Sequence, residues 1–328
     1  MTKNVKFGIL GCGMIASVHA NAIKNIENAT LVGVADNNLE IAQKFAQKHG
    51  IEYFGSFIEM LKMVDAVCIC TPSFLHADNA ITALKQGKHV VVEKPMALSV
   101  EDADRVIEES KKANRFVTVI SQLRFSNDVQ RLKKVVEEGL LGKISLCTLT
   151  MKYYRSKEYF ASSSWKGKLA YDGGGALMNQ GIHGVDLMQY IMGGVKNTKG
   201  KIATLCHNIE VEDTAVAIVE FNNGALGTIV ASTCATPGFD RKLEIHGDKG
   251  YAILTENNLE KLVIDGKECE VGVFEKSNTA SDPTAVASLM HQQQIENLIH
   301  AINGEEEIFI DCNEGKKAVK IITDIYKE

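Results

Sequence analysis

Lys94 stands between Glu93 and Pro95 at the end of the apolar run His89-Val90-Val91-Val92, and a charge in that place needs a reason. Residues 90–92 read as a strand buried on both faces. Pro95 cannot continue a ladder and biases Lys94 toward extended backbone. The amine is thereby set at a strand's carboxyl end, the edge where open parallel α/β sheets bind ligands. A lysine partly shielded there can donate a proton or polarise an oxygen; the plain alternative is a solvated lysine at a strand exit.

A second chemical segment lies far along the chain, where Asp172-Gly173-Gly174-Gly175 leads into Asn179, His183 and Asp186. Residues 173–192 read as one glycine-led helix, and at helical spacing those three polar groups share a face. Asparagine is a poor transition-metal ligand and no second histidine joins it, so no metal site is expected. An imidazole with a tuned pKa, acting as general acid or base, is the sharper reading of His183. Arg124, just past the sixth strand, could grip an anionic or hydroxylated substrate through its planar fork, with a surface ion pair as the alternative. The aromatic stretch 153–167 holds the only tryptophan, Trp165. It offers the apolar faces and hydrogen bonds that a sugar ring needs.

The elements that must position these groups start with the short apolar run 5–10, which feeds Gly11-Cys12-Gly13-Met14-Ile15-Ala16 and then a helix, 14–26. This is the dinucleotide glycine fingerprint in its Ala form: Gly11 for the tight turn, Gly13 for close approach to a pyrophosphate, Ala16 for helix–strand packing. The helix start at Met14 and Ile15 offers N–H groups to the anion. Asp36 closes the second strand at the spacing the motif requires, where a carboxylate binds both ribose hydroxyls and repels a 2′-phosphate. NAD is therefore expected over NADP; the alternative makes Asp36 a helix N-cap. Thr71-Pro72 leaves the fourth strand where a loop would brush the cofactor, and His76, in the following helix, is a candidate contact against a default of surface histidine.

Further strands at 51–54, 66–70, 89–92 and 116–120 alternate with helices at 39–49, 56–62 and 74–86 and one capped by Ser99. The fold class is α/β: an N-terminal doubly wound parallel sheet over residues 1–121, then an α+β domain over 122–328. In the second domain a helix at 127–138 precedes strands at 201–207, 214–221, 225–234, 241–246, 251–254 and 262–264. Asn223-Gly224 marks a hairpin, so an open, mainly antiparallel sheet is expected. Helices at 285–302 and 314–326 finish the chain.

The chain has 328 residues and a net charge of -5, and no basic block favours nucleic acid. No apolar run reaches the roughly 18 residues of a membrane helix, and the N-terminus lacks a leader pattern, so a cytoplasmic protein is expected. Eight cysteines are scattered without the two-residue gap of zinc or redox motifs. Cys68 and Cys70 read as core residues and disulfides are not expected.

With the glycine turn, Thr71-Pro72, Glu93-Lys94-Pro95, the 173–183 segment and the Glu212-Asp213-Thr214 strand start in place, the sequence resembles the glucose-fructose oxidoreductase and inositol dehydrogenase family over nearly its whole length. That resemblance implies a nicotinamide cofactor with Glu93 and Lys94 beside it, and Lys94 and His183 flanking the reacting carbon. It implies a sugar, nucleotide sugar or cyclic polyol as substrate, with Asn179 among its contacts, and a homodimer or homotetramer through the C-terminal sheet. Many members carry an aspartate where this chain has Asn179. An amide cannot relay a proton, so the burden moves to His183 and Lys94. Two other readings stand beside the dehydrogenase: a glycosidase using NAD for transient oxidation, and a non-catalytic dinucleotide sensor.

Overall fold

The structure, a computed structural model, describes residues 3–163, 165–272 and 288–327. Within these, residues 3–122 with 288–316 form one compact unit, and 123–272 with 317–327 form another.

The first unit is built on six strands: β1 (Val5–Leu10), β2 (Ala29–Ala35), β3 (Glu52–Phe54), β4 (Ala66–Ile69), β5 (His89–Val92) and β6 (Val117–Val119). They pair in parallel in the order β3-β2-β1-β4-β5-β6, so the direction of winding reverses between β1 and β4. A crevice at the carboxyl ends of those two strands is where this topology places a ligand. The connecting helices are α1 (Met14–Lys24), α2 (Leu39–His49), α3 (Phe57–Leu61), α4 (His76–Lys85) and α5 (Val100–Ala113). Local chemistry sets their ends. Asn38 caps α2 by accepting from the Glu40 and Ile41 N–H groups, Gly50 closes it in the left-handed region, and Ser99 caps α5 through the Asp102 N–H.

The second unit holds α6 (Asn127–Glu137), β7 (Ile144–Lys152), the short helices α7 (Lys157–Ala161) and α8 (Leu169–Asp172), and α9 (Ile182–Met192). Its other strands are β8 (Val195–Ala203), β9 (Thr214–Phe221), β10 (Leu226–Ser232), β11 (Lys242–Gly247), β12 (Gly250–Thr255), β13 (Asn258–Ile264) and β14 (Lys267–Glu268). The sheet runs β14-β13-β12-β11-β7-β10-β9-β8, with β7 and β10 parallel and the other neighbours antiparallel. Cys147, Leu149 and Met151 of β7 point into a core shared with Leu177, Val185, Met188 and Ile191.

Three sequence expectations change here. Residues 288–316, assigned to the second domain from the sequence, belong to the first unit: α10 (Leu289–Asn303) buries Ile295, Leu298 and Ile299 in one cluster with Val5, Phe7 and Ala20. The expected start of that helix at 285–287 lies outside the described residues; α11 (Cys312–Tyr326) closes the chain. The strand expected at 201–207 is β8, which ends at Ala203, because the backbone N–H groups of Leu205, Cys206 and His207 turn onto the Asp213 carboxylate. The glycine-led helix is interrupted: Gly173 and Gly174 have φ of 68° and 157°, residues Ala176–Gly181 form a π-turn, and regular α-helix starts only at Ile182.

Candidate active site

In the first unit the dinucleotide turn has the shape its glycines predict. Gly11 has φ +90°, and a Cβ there would meet the Cys70 carbonyl oxygen at 2.8 Å, so β1 and the end of β4 approach closely only because the residue is glycine. A Cβ on Gly13 would meet nothing within 4 Å, so this side of the turn is open. Gly13 is the N-cap of α1 and supplies no side-chain cap, no acid sits in the first turn, and Met14 is 64% exposed. The N–H groups of that turn are therefore presented as an anion site. Ile15 is half-buried behind them, and Ala16 is buried in the core below.

Asp36 follows β2, and its carboxylate accepts from the Cys12 N–H at 2.8 Å and the Asn38 N–H at 2.9 Å. One carboxylate thus ties the glycine turn to the second strand, and the cap of α2 is Asn38 rather than Asp36. These groups fit a dinucleotide: backbone donors for a pyrophosphate and a carboxylate for ribose hydroxyls.

His76 takes a different place from the one expected. It is buried, and its two ring nitrogens lie 2.7 Å from the carbonyl oxygens of Pro95 and Thr71. Burial pushes its pKa down against the pull of those carbonyls. The side chain pins the Thr71-Pro72 loop to the Lys94-Pro95 loop, which removes it from the cofactor contacts and makes it a residue that positions both. Asn79 adds a bond from its amide to the Thr71 hydroxyl.

Glu93 is also turned inward. One oxygen lies 2.8 Å from His19 Nε2 and 3.9 Å from His291 Nε2, and the other accepts the Lys94 N–H at 3.2 Å. Burial acts to raise this carboxyl, but the bond and charge of His19, with His291 and Lys94, hold it down to about 2. His19 is itself wholly buried, and burial opposes its charge, yet its pKa lies well above the ordinary value, with the thiols of Cys70 and Cys68 beside it. A buried ion pair under the strand end fixes the backbone on which half-buried Lys94 is carried. The Lys94–Pro95 peptide is cis.

The pair has opposite pH limits. The Glu93 contribution is complete above its unfolded value near 4.5 and is lost as pH falls through about 2. That of His19 is complete below 6.5 and is lost as pH rises through its raised folded value. Glu93→Gln is expected to lower stability near neutrality by about 3 kcal/mol, the cost of removing one partner of a buried pair. The gap to wild type should close as pH falls from about 4.5 toward 2. Denaturant midpoints across that range check this, and a gap that stays constant contradicts the pairing.

In the second unit, half-buried His183 is the second residue of α9, and Asn179 lies in the π-turn before it. The Asn179 amide donates to Asp172 Oδ1 at 2.6 Å, and its oxygen accepts from Gln180 Nε2 at 2.8 Å. Gln180 also donates to the Tyr159 hydroxyl at 2.9 Å and accepts from Arg155 Nε at 3.0 Å. Asp172 thus holds the amide that stands where many family members carry an aspartate. Half-buried Trp165 lies beside Lys166, whose ammonium is 6.0 Å from its ring and 4.1 Å from that of Tyr159. Burial lowers the Lys166 pKa while Asp172 raises it.

Glu212, which sequence reasoning used only as a family marker, holds this segment from behind. Its carboxylate accepts from the N–H groups of Gly175 and Leu177, both at 2.8 Å, and from the Tyr326 hydroxyl at 2.7 Å. A Cβ on Gly175 would meet the Glu212 carbonyl at 2.0 Å, which is why glycine precedes the π-turn.

Arg124 is not available to a substrate. It is 1% exposed and forms a two-pronged pair with Asp186, Nε to Oδ2 at 2.9 Å and Nη2 to Oδ1 at 2.6 Å, with its guanidinium 4.5 Å from the centre of the Tyr190 ring. Asp186 accordingly leaves the polar face assigned to it: a carboxylate on the core side of α9 needs a cation, and Arg124 provides one.

Residues 5–121 match the family described as "Oxidoreductase family, NAD-binding Rossmann fold", and residues 129–253 match the "GFO/IDH/MocA C-terminal domain". The chain is 31% identical to the myo-inositol 2-dehydrogenase of Thermotoga maritima over 79% of this chain and 78% of that protein. It is 26% identical to the D-glucoside 3-dehydrogenase of Escherichia coli, covering 98% and 95%. Its fold superposes on the WlbA dehydrogenase from Bordetella pertussis, solved with NADH and UDP-GlcNAcA, with a TM-score of 0.89, 31% identity and coverage of 99% and 95%. The chain therefore belongs to the GFO/IDH/MocA family of NAD-dependent oxidoreductases.

Proposed function

We propose that the protein is an NAD-dependent dehydrogenase acting on a ring carbinol, or its ketone, of a sugar, nucleotide sugar or cyclic polyol. The observation that carries this is Lys94, held on a backbone fixed by the buried His19–Glu93 pair, on the sheet that also bears the open Gly11–Gly13 turn. Support comes from the inositol and glucoside dehydrogenases among its relatives and the nucleotide sugar in the WlbA structure. NAD, when bound, supplies the two-electron acceptor. In this reading His183 takes the hydroxyl proton and Lys94 donates a hydrogen bond to the same substrate oxygen, stabilising the charge that develops there. Trp165 and Asn179 contact the sugar, and the Asp172–Asn179–Gln180 chain fixes the amide that does so.

A screen of sugars, inositols and nucleotide sugars with NAD and NADP in parallel, read by absorbance of the reduced cofactor, is expected to give turnover with NAD. NADH binding without turnover of any polyol would favour a sensor. Release of aryl glycosides with no added cofactor would favour a glycosidase.

We place the protein in the cytoplasm, and no helix among the described residues is long and apolar enough to cross a membrane. The open face of the second unit's sheet carries exposed Leu146, Val216, Ile218 and Leu226, and we propose that a second copy covers it. Ile218→Lys should shift the chain to monomer in light-scattering measurements; an unchanged mass excludes that face.

A further inference from the structure

A cluster in the second unit, which the proposed dehydrogenase chemistry does not use, has the makings of a metal site. Loop 204–213 between β8 and β9 wraps its backbone around one anion: the Asp213 carboxylate accepts from Leu205 N at 2.9 Å, Cys206 N at 2.8 Å, His207 N at 2.9 Å and the Thr214 hydroxyl at 3.0 Å. Successive N–H groups turned onto one carboxylate fix the positions from which the Cys206 and His207 side chains leave the loop. The backbone after β10 brings Cys234 to them, its N–H bonded to the Ser232 hydroxyl and its residue bridged to Tyr154. The sulfurs of Cys206 and Cys234 and an oxygen of Asp213 lie within 4.8 Å of one another.

The imidazole is oriented for coordination. His207 Nε2 is 2.9 Å from the Arg155 carbonyl, which can only accept, so this nitrogen carries the proton. Nδ1, the nitrogen left for a metal, lies 3.5 Å from the Cys234 sulfur and 3.3 Å from an Asp213 oxygen. A metal-bound histidine that donates its other N–H to a backbone carbonyl has this same arrangement. One ligand separation is that of a shared ion: zinc bonds of about 2.3 Å to sulfur and about 2.0–2.1 Å to nitrogen, at tetrahedral angles, set neighbouring ligands about 3.3–3.8 Å apart, and His207 Nδ1 lies 3.5 Å from the Cys234 sulfur, while the two sulfurs lie within 4.8 Å of each other. A nucleophilic triad does not fit. In a relay the thiol and the carboxylate engage opposite ring nitrogens, and here both face Nδ1 while Nε2 is spent on backbone.

We propose that Cys206 Sγ, Cys234 Sγ and His207 Nδ1 bind a zinc ion. Two thiolates and an imidazole select a borderline-soft cation over magnesium or calcium. The Asp213 carboxylate, whose acceptor sites are filled by four donors, supplies negative charge and holds the loop. The fourth position opens on the side of exposed Cys206 to solvent or an added ligand. Through neighbouring Glu212, and through Arg155 bonded to Gln180, the ion braces the segment that carries Asn179 and His183.

The test is to titrate chelator-treated, fully reduced protein with cobalt(II). A thiolate-to-cobalt charge-transfer band with intense tetrahedral visible bands, saturating at one ion per chain and displaced by zinc, is expected. Cys206→Ser, at an exposed position that leaves the fold intact, should weaken binding by about 10²-fold or more, and Cys234→Ser and His207→Gln should do the same. Zinc should raise the thermal midpoint of the wild type and leave that of Cys206→Ser unchanged. Absence of the charge-transfer band overturns the site. So does a band that survives all three substitutions, or thiol counting and mass analysis that find Cys206 and Cys234 joined as a disulfide in freshly isolated protein.

Discussion

Replacing Lys94 or His183 with alanine is expected to lower turnover by about 10²-fold or more, the low end of general acid–base contributions. Lys94 is half-buried at the end of β5, while the inward ties of that loop belong to Glu93 and His76. His183 opens α9 in a position whose shape is set by Gly175 and Glu212. NADH binding, followed by its fluorescence, should therefore be retained in both variants. Lys94→Arg keeps the charge but not the compact ammonium, so it should stay impaired. Full turnover in both alanine variants would remove these residues from the chemistry. Loss of NADH binding alongside turnover would move Lys94 to a cofactor-holding role only.

Asp186→Ala should destabilise the second unit by about 3–5 kcal/mol, the cost of leaving a buried charge without its partner. The Arg124 guanidinium loses both carboxylate bonds and cannot shed its proton. Two units make a single unfolding free energy ill-defined, so the observable should report one of them. Trp165, the only tryptophan, lies in the second unit, and its fluorescence against urea serves. A double replacement, Arg124→Met with Asp186→Leu, should recover much of the loss, since apolar side chains of similar volume remove both charges at once. A midpoint unchanged by Asp186→Ala would mean that Arg124 finds another anion.

The first unit was legible because its signals are local. Each strand of the parallel sheet is a short apolar run next to a glycine turn or a capped helix, and the residues that shape the dinucleotide turn are consecutive. Position within a helix was the weaker guide. Arg124, His76 and Asp186 are polar residues that the sequence placed toward a ligand, and each is buried on a partner distant in sequence or on backbone carbonyls. Nothing in a local pattern announces that Asp186 will meet Arg124. β7 was missed although its alternation of Cys147, Leu149 and Met151 with Thr148 and Thr150 is a half-buried strand pattern. The π-turn left no periodic trace, and the one available hint was the run of three glycines, read there as a helix start.

The return of residues 288–316 to the first unit affects how the protein is made. During translation, the surface formed by Val5, Phe7 and Ala20 emerges early, yet Ile295, Leu298 and Ile299, which cover it, leave the ribosome only after the whole second sheet. At typical synthesis rates of about 5–20 residues per second, that surface waits on the order of ten seconds or more, a natural substrate for a holdase chaperone. A truncated N-terminal fragment would carry the same bare patch permanently.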